Sequence, residues 1–219
     1  MNFAQIAVGL VGMALLAACS STPEMQEKPS SEFVGLNKVT GTGFNEAWAR
    51  PNAGLTEYKV IAAGPMTSAG AEVVQPGGTT GSRLNRDWEL TQERQDALAA
   101  SWNKSITQAA EKAGLDSNGN GDKVLRIDAA LTRIAPSANF AEAQSAPGRT
   151  TVYTEDSGEA SVEFRLYDQA SGELLAVIRD KRRLGAQVWG RSGTVTAGAD
   201  ARNTLNSWAT QLVRRVTGN

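Results

Sequence analysis

The sequence predicts an α+β fold, a two-layer sandwich in which two helices cover one face of a sheet of about four strands. Short segments with alternating apolar residues predict the strands, and two longer segments with apolar residues three and four apart predict the helices. These elements follow one another in the order β-α-β-β-β-α, which favours helices on one side of the sheet. A length of 219 residues, 41% of them hydrophobic, suits one globular domain with tails.

The first predicted strand lies in "LTEYKVIAAGPM", where Tyr58, Val60 and Ala62 form one row and Glu57, Lys59 and Ile61 form the other. A long helix follows. We expect it to begin after the N-cap residue Thr91 and to end near Gly114, because these residue types are typical of the two ends of a helix. Its apolar stripe consists of Leu98, Trp102, Ile106 and Ala109 or Ala110.

The second strand, "KVLRIDAALTRI", is predicted to start near Val124. Residues 159–182 then predict a hairpin, because "EASVEFRLYD" and "ELLAVIRDKR" are separated by a turn at "QASG". On its first strand Phe164 belongs to an apolar row, whereas Glu163 and Arg165 belong to the opposite, polar row. The second helix is predicted in "ADARNTLNSWATQLVRRV". Trp88, Trp102 and Trp208 are predicted to be core residues, and Trp189 is the best candidate for an exposed aromatic side chain.

The N-terminal segment "IAVGLVGMALLAACSS" predicts export. Its uncharged run is too short to span a bilayer as a helix, so residues 1–18 are predicted to be a signal peptide. Leu16, Ala17, Ala18 and Cys19 resemble the bacterial lipobox, which implies cleavage before Cys19 and acyl chains such as palmitate on that residue. Ser20 then favours release to the outer membrane. The segment departs from the usual signal-peptide pattern in one respect, because "MNFAQ" has no basic residue. The alternative is an ordinary signal peptide with an incidental cysteine.

Residues 19–54 are rich in Ser, Thr, Pro, Gly and Glu, which predicts a lipidated N-terminus and a flexible tether. Phe44 and Trp48 are apolar and four residues apart, so a tether that packs partly on the domain is an open alternative. Residues 55–219 are predicted to form the single globular domain.

Three stretches of this domain carry a family resemblance. "VLRIDAALTRI", "GEASVEFRLYDQASGELLAVIRDKRRLG" and the final helix with "WATQL" resemble the bacterial lipoproteins of the DUF3313 family, over roughly residues 55–219. The resemblance implies an exported and anchored protein. It supplies no catalytic residues to carry over.

The absence of histidine excludes the Ser-His, Cys-His and His-zinc mechanisms, and we predict a non-catalytic domain without a cofactor. The alternative is a hydrolase of envelope glycans that uses a carboxylate pair drawn from Glu163, Asp168 and Asp180. Arg165 shares the predicted face of Glu163, so an ion-paired, solvated sheet face is the favoured interpretation.

The segment "LDSNGNGD" resembles a calcium loop, with oxygens on Asp116, Asn118, Asn120 and Asp122 and glycine at the sixth position. However, Val124 and Ile127 occupy the ninth and twelfth positions, where ligands are needed. The Asn-Gly pairs therefore favour a turn between helix and strand, and weak calcium binding stays open.

The C-terminal part of the chain is basic. Residues 179–219 contain eight basic and two acidic side chains, which could bind lipopolysaccharide, anionic lipid or peptidoglycan. The candidate patch consists of Lys181, Arg182, Arg183, Arg191, Arg214 and Arg215. The long connection over residues 135–158 is a further candidate binding element. The predicted export from the cytoplasm excludes nucleic acid as a partner. The leading hypothesis is an outer-membrane lipoprotein on the periplasmic face, anchored by its acyl chains, whose domain binds or supports an envelope partner.

Overall fold

The structure, a computed structural model, describes residues 23–75, 88–137, 153–154, 157–185, 190–191 and 194–218. The strands are β1 Glu24–Pro29, β2 Asn37–Thr40, β3 Glu46–Ala49, β4 Val60–Thr67, β5 Glu72–Val73, β6 Val124–Pro136, β7 Tyr153–Thr154, β8 Gly158–Asp168, β9 Leu174–Leu184 and β10 Gly190–Arg191. The α-helices are α1 Gln92–Lys112 and α2 Thr194–Thr217, and a short 3-10 helix spans Leu55–Glu57.

Eight strands form one mixed sheet in the order β1-β2-β3-β9-β8-β6-β4, with β5 also pairing with β6. β4 and β5 run parallel to β6, and the other neighbours are antiparallel. β7 and β10 form a separate two-stranded sheet. The α+β class is therefore correct, but the predicted two-layer sandwich with about four strands is wrong, because the main sheet has twice that number.

Three of the additional strands come from the segment predicted to be a flexible tether. β1, β2 and β3 all lie within residues 24–49, and β3 pairs with β9 through partners such as Trp48 and Val177. Each of β2 and β3 is only four residues long, so there is too little alternation for a period to be recognised. The tether prediction is wrong for these residues. Trp48 is only 8% exposed, which shows that this part of the chain packs on the rest of the domain.

The elements predicted within residues 55–219 lie close to their expected positions. Thr91 caps α1 by accepting a hydrogen bond from the Arg94 amide, and Gly114 follows the helix end with a positive φ of 74°. β6 begins at Val124, and β8 and β9 form the predicted hairpin. One face assignment is wrong: Ile61, rather than Val60 or Ala62, reaches the core from β4.

The two helices pack on one face of the sheet. Trp102 of α1 stacks on Phe164 of β8, with ring centroids 5.2 Å apart, and Trp208 of α2 meets the same ring edge-on at 6.0 Å. All three side chains are at most 1% exposed. Burial of each such ring contributes several kilocalories per mole, so this contact anchors both helices to the sheet. We call this side the helix face and the opposite side the open face.

Candidate functional site

The open face carries a cluster of ion pairs centred on Glu163. Arg165 donates through Nε to Oε1 of Glu163, and Arg179 donates through Nε to Oε2, both at 2.7 Å. Arg179 also donates two hydrogen bonds to the Glu32 carboxylate. The Glu163 side chain is 8% exposed, so its charge is balanced where water has little access.

The protonation of Glu163 reflects two opposing effects. Burial by itself would raise the pKa of this carboxyl, but the hydrogen bonds from Arg179 and Arg165 outweigh burial and hold the pKa below its usual range. A general acid at neutral pH needs the opposite shift. Glu163 is therefore suited to an ion pair that holds strands together.

Residues 30–36 cover part of the open face beside this cluster. Phe33 packs edge-on against Trp48, with centroids 5.0 Å apart, and the Arg179 guanidinium lies 5.2 Å from the Phe33 ring. Leu36 and Val177 are fully buried in the same small apolar cluster. The covering segment is thus held by both aromatic packing and the contact between Glu32 and Arg179.

Asp180 lies on the other side of the sheet from Glu163. Its cross-strand partner is the core residue Val162, whereas the partner of Glu163 is Arg179. Asp180 accepts hydrogen bonds from Trp208 Nε1 and Arg182 Nε, each at 2.8 Å, which ties β9 to α2. The carboxylate pair required by the hydrolase alternative is not formed by these two residues, because neighbouring strand positions project alternately to opposite faces.

Asp168 is also a structural group. It ends β8, where it accepts hydrogen bonds at 2.8 Å from the Ser171 amide and from the Tyr58 hydroxyl. These bonds, led by that of the Ser171 amide, hold the pKa of Asp168 below its usual range. Burial and, after it, the bond to Asp168 raise the pKa of Tyr58 to about 12. Asp168 therefore fixes a turn and does not join Glu163.

The basic residues predicted to form one patch are dispersed. Lys181 pairs with Glu159, whereas Arg182 lies on the opposite side of β9 and contacts Asp180, Ser207 and Gln211. Arg215 donates to the Thr42 carbonyl near the end of α2. The Arg183 and Arg214 side chains are exposed, and that of Arg191 lies outside the described residues. The prediction of a single basic patch is wrong, because consecutive residues of a strand face opposite sides of the sheet.

The calcium candidates form a chain of local turns. Asp116 accepts hydrogen bonds at 2.8 Å from the amide and the side chain of Asn118, and Asn118 in turn accepts from the Asn120 amide. Gly119 and Gly121 have positive φ values, as the Asn-Gly pairs predict. Asp122 is exposed. Within the described ranges, no three acidic or thiol side chains come together in a way that could hold a metal ion.

A cavity of about 210 Å³ lies between the N-terminal parts of α1 and α2. Small residues on both helices, among them Ala97, Ala197 and Gly198, leave this space open. Leu98 and Ala201 complete the helix walls. The other described walls come from the ends of β6 and β9 and from the segment before α1, and they consist chiefly of apolar side chains: Trp88, Leu90, Ile134, Pro136 and Leu184. The cavity exceeds the roughly 150 Å³ that holds a benzene ring in an apolar core.

The cavity has two basic side chains and two serine side chains among its described lining residues. Arg94 and Arg202 both line it, and none of its described lining residues is acidic. The Arg94 guanidinium lies 4.8 Å from the centroid of the Trp88 ring. Trp88 is only 9% exposed, and among the described residues its Nε1 group has no hydrogen-bond acceptor. Gln75 fixes this residue by two hydrogen bonds to its backbone, at 2.8 and 3.0 Å. An unsatisfied buried donor costs about 1–3 kcal/mol.

Comparison with known families gives a match over most of the chain. The model of the family described as "Protein of unknown function (DUF3313)" matches residues 28–212. The chain belongs to the DUF3313 family. The expected membership is thus confirmed, and the match begins earlier than residue 55, within the part that forms β1 to β3. None of the curated proteins matches this DUF3313 chain.

Solved structures similar to this DUF3313 chain are distant. A Xanthomonas campestris protein of the DUF330 family is 15% identical, with a TM-score of 0.38, over 71% of this chain and 81% of that one. PelC from Paraburkholderia phytofirmans, crystallised as a dodecamer, is 10% identical, with a TM-score of 0.37 and coverage of 70% and 88%. A candidate lipoprotein from Caulobacter crescentus is 12% identical, with a TM-score of 0.30 and coverage of 75% and 88%.

Several predicted features of this DUF3313 chain lie outside the described residues. They are the signal peptide, the lipobox with Cys19, Trp189 and most of the connection over residues 135–158. Within the described part, no helix has the length and apolar character needed to cross a membrane.

Sequence reasoning did not identify the cavity. Trp88, Trp102 and Trp208 are buried as predicted, but only Trp88 lines this space. The walls come from segments that are far apart in the chain, so no local motif marks them. The one available signal was the run of small residues at the start of α2, "TAGADA".

Proposed function

We propose that this chain is an outer-membrane lipoprotein, held on the periplasmic face by acyl chains on Cys19, whose domain binds an envelope ligand without catalysing a reaction. The observation that carries the binding role is the cavity between α1 and α2, with its apolar walls. Apolar pockets with a few convergent polar groups are typical ligand sites. The lipobox residues support the anchor.

The non-catalytic part of the proposal is supported by the carboxylates. Glu163, Asp168 and Asp180 each accept hydrogen bonds from fixed partners, and Glu163 and Asp180 lie on opposite faces. A glycosidase needs two carboxyl groups about 5–10 Å apart on one substrate. Glu163 and Asp180 therefore cannot act together on one substrate. Incubation of peptidoglycan with the purified chain should leave the glycan intact, and hydrolysis that is lost in Glu163→Gln would contradict us.

The anchor is tested by mass spectrometry of the protein from fractionated membranes. We expect an N-terminal Cys19 that carries acyl chains, and we expect the protein in the outer-membrane fraction. Cys19→Ser is the matched control, because it removes the thiol and leaves the domain unchanged. An unmodified Cys19 in the mature protein would contradict the anchor.

The binding role is tested by native mass spectrometry of the chain released from its own outer membrane. We expect an adduct whose mass corresponds to an envelope component, and reduced adduct in Ala97→Phe, which adds a ring at an exposed edge of the cavity wall. Ala100→Phe is the matched control, because Ala100 is exposed on the same helix and does not line the cavity. Equal adduct in both variants would contradict this site. Crosslinking in intact cells would then show whether an envelope protein, lipopolysaccharide or peptidoglycan binds elsewhere.

A further inference from the structure

The proposed anchor lies very close in the chain to the first strand. Only three residues separate Cys19 from Pro23, where the described part of the chain begins. β1 follows at once, and its first residue, Glu24, pairs with Thr40 of β2. Four residue steps span at most about 14 Å even when the chain is fully extended. Acyl chains on Cys19 therefore hold the β1 side of the sheet close to the bilayer.

This side of the sheet also exposes apolar side chains. β1, β2 and the connecting residues 30–36 form one border of the eight-stranded sheet, which we call the anchor edge. All six residues of β1 are exposed. Among the described residues, the exposed large apolar side chains are Met25, at 40%, and Val34, at 94%, and both lie on the anchor edge. Exposed apolar groups that share one border of a domain mark a surface for an apolar partner.

An edge strand can also pair with a strand of another protein, but β1 is poorly suited to this. It contains Lys28 and Pro29, and its pairing with β2 is irregular between Met25 and Pro29. A lysine, a proline and an irregular register all protect an edge from strand addition. A lipid surface needs no such pairing, so it fits this edge better than a second strand does.

We propose that the anchor edge lies on the bilayer surface, with Met25 and Val34 in contact with lipid, and that the sheet stands upright on this edge. The inference rests on the proposed anchor at Cys19 and adds the surface that meets the membrane. The opposite border of the sheet, β4, lies six strand spacings away, about 29 Å along the sheet. Residues that follow β4, such as the exposed Ala69, are therefore held away from the lipid.

The test uses the acylated chain, purified from its outer membrane and reconstituted in phosphatidylcholine vesicles whose head groups carry a nitroxide. Cys19 is the single cysteine and its acylated thiol is a thioether, so one introduced cysteine takes a thiol-reactive fluorophore alone. The nitroxide quenches a fluorophore only at close approach. We expect strong quenching at Val34→Cys and none above the level of nitroxide-free vesicles at Ala69→Cys.

The position of Val34 makes this comparison informative. Val34 lies beyond the end of β1 that is remote from Pro23, and the six residues of β1 span roughly 20 Å. The link to Cys19 alone does not bring this side chain to the lipid. A domain suspended only by Pro23 would show quenching at neither label, and a domain lying flat would show equal quenching at both. Either result would overturn the proposal.

A substitution tests the apolar contact itself. With the fluorophore at Lys28→Cys, Val34→Asp should lower the population in contact with lipid about ten-fold, because a charged side chain replaces a valine that leaves water. Ala100→Asp is the matched control, since Ala100 is exposed on α1, and it should leave the quenching unchanged. Unchanged quenching in Val34→Asp would overturn the assignment of this contact to lipid.

A second copy of the chain on the anchor edge would give a different signal. Fluorophores at Val34→Cys would then quench one another in vesicles without nitroxide, increasingly as more protein is added to the same lipid. We expect no such dependence, and its appearance would overturn the assignment to lipid.

Failure of this inference and failure of the proposed anchor are distinguishable in the same sample. Mass spectrometry reads the acylation of Cys19 directly, and the quenching reads the orientation of the domain. An acylated chain without quenching at Val34→Cys keeps the anchor and rejects the anchor edge. An unmodified Cys19 rejects both.

Discussion

On the open face, charged side chains lie in rows and pair across neighbouring strands, whereas the helix face buries a continuous apolar core with a cavity at one end. Glu163 and Arg179 illustrate the first arrangement, and Trp102 and Phe164 the second. Clustered charged residues in a sequence suggest a functional site. Here those charges already satisfy one another, so the open face offers few groups for a ligand. The cavity on the helix side is instead lined chiefly by apolar side chains.

The largest expected difference between the faces comes from two neighbouring residues on β8. Phe164 is fully buried between Trp102 and Trp208, so Phe164→Ala should lower the free energy of unfolding by about 3–5 kcal/mol. Arg165 projects to the open face with a side chain that is 49% exposed, and Arg165→Ala should cost less than about 1 kcal/mol. Urea denaturation of both variants measures this. Similar losses would show that the two faces are energetically alike.

The next effect concerns the buried charge on the open face. Glu163→Gln should lower the free energy of unfolding by about 1–3 kcal/mol at neutral pH, because it weakens the bonds to Arg165 and Arg179. Glu72→Gln is the matched control, since its side chain is 66% exposed beside Arg133, and it should change stability by less than about 0.5 kcal/mol.

The pH dependence of stability tests the same group. The pKa of Glu163 is lower in the folded chain than the ordinary value of 4.5, so its stabilisation is present above about pH 4.5 and is lost as the pH falls through the folded pKa. Glu163→Gln should remove this component. Urea midpoints measured between neutral pH and pH 3 should therefore converge for the two proteins. A constant difference across that range would show that the charge of Glu163 is not what stabilises the cluster.

A smaller effect is expected where residues 30–36 cover the open face. Phe33→Ala should lower the free energy of unfolding by about 1 kcal/mol, because it removes the ring contacts with Trp48 and Arg179. Hydrogen exchange should become faster in β2 and β3 and stay unchanged in β8. Faster exchange in all three strands would show that the covering segment supports the whole sheet.

The smallest effect is expected from calcium. The Asp116 carboxylate is already engaged by Asn118, so millimolar calcium should raise the melting temperature by less than about 1 °C. Asp116→Ala should show the same small response. A micromolar calcium constant by calorimetry that this substitution abolishes would show that the loop is a metal site.

The sequence predicted the elements that are long enough for their apolar pattern to repeat over several helical turns or strand positions. α1, β6, β8 and β9 are long, so their apolar periods and the cap at Thr91 were readable. β2 and β3 are too short, and their pairing with β9 joins segments more than a hundred residues apart. The dispersal of Lys181 and Arg182 follows from strand alternation, because consecutive residues of β9 project to opposite faces of the sheet. The cavity depends on side chains from distant segments, and no local pattern could predict it.

The central claim is that binding occurs on the helix side and that the charges of the open face are structural. The most direct measurement is native mass spectrometry of the chain released from its own outer membrane, compared between Ala97→Phe and Arg165→Gln. Our account predicts less adduct in Ala97→Phe and unchanged adduct in Arg165→Gln. Adduct that is lost in Arg165→Gln and kept in Ala97→Phe would contradict it.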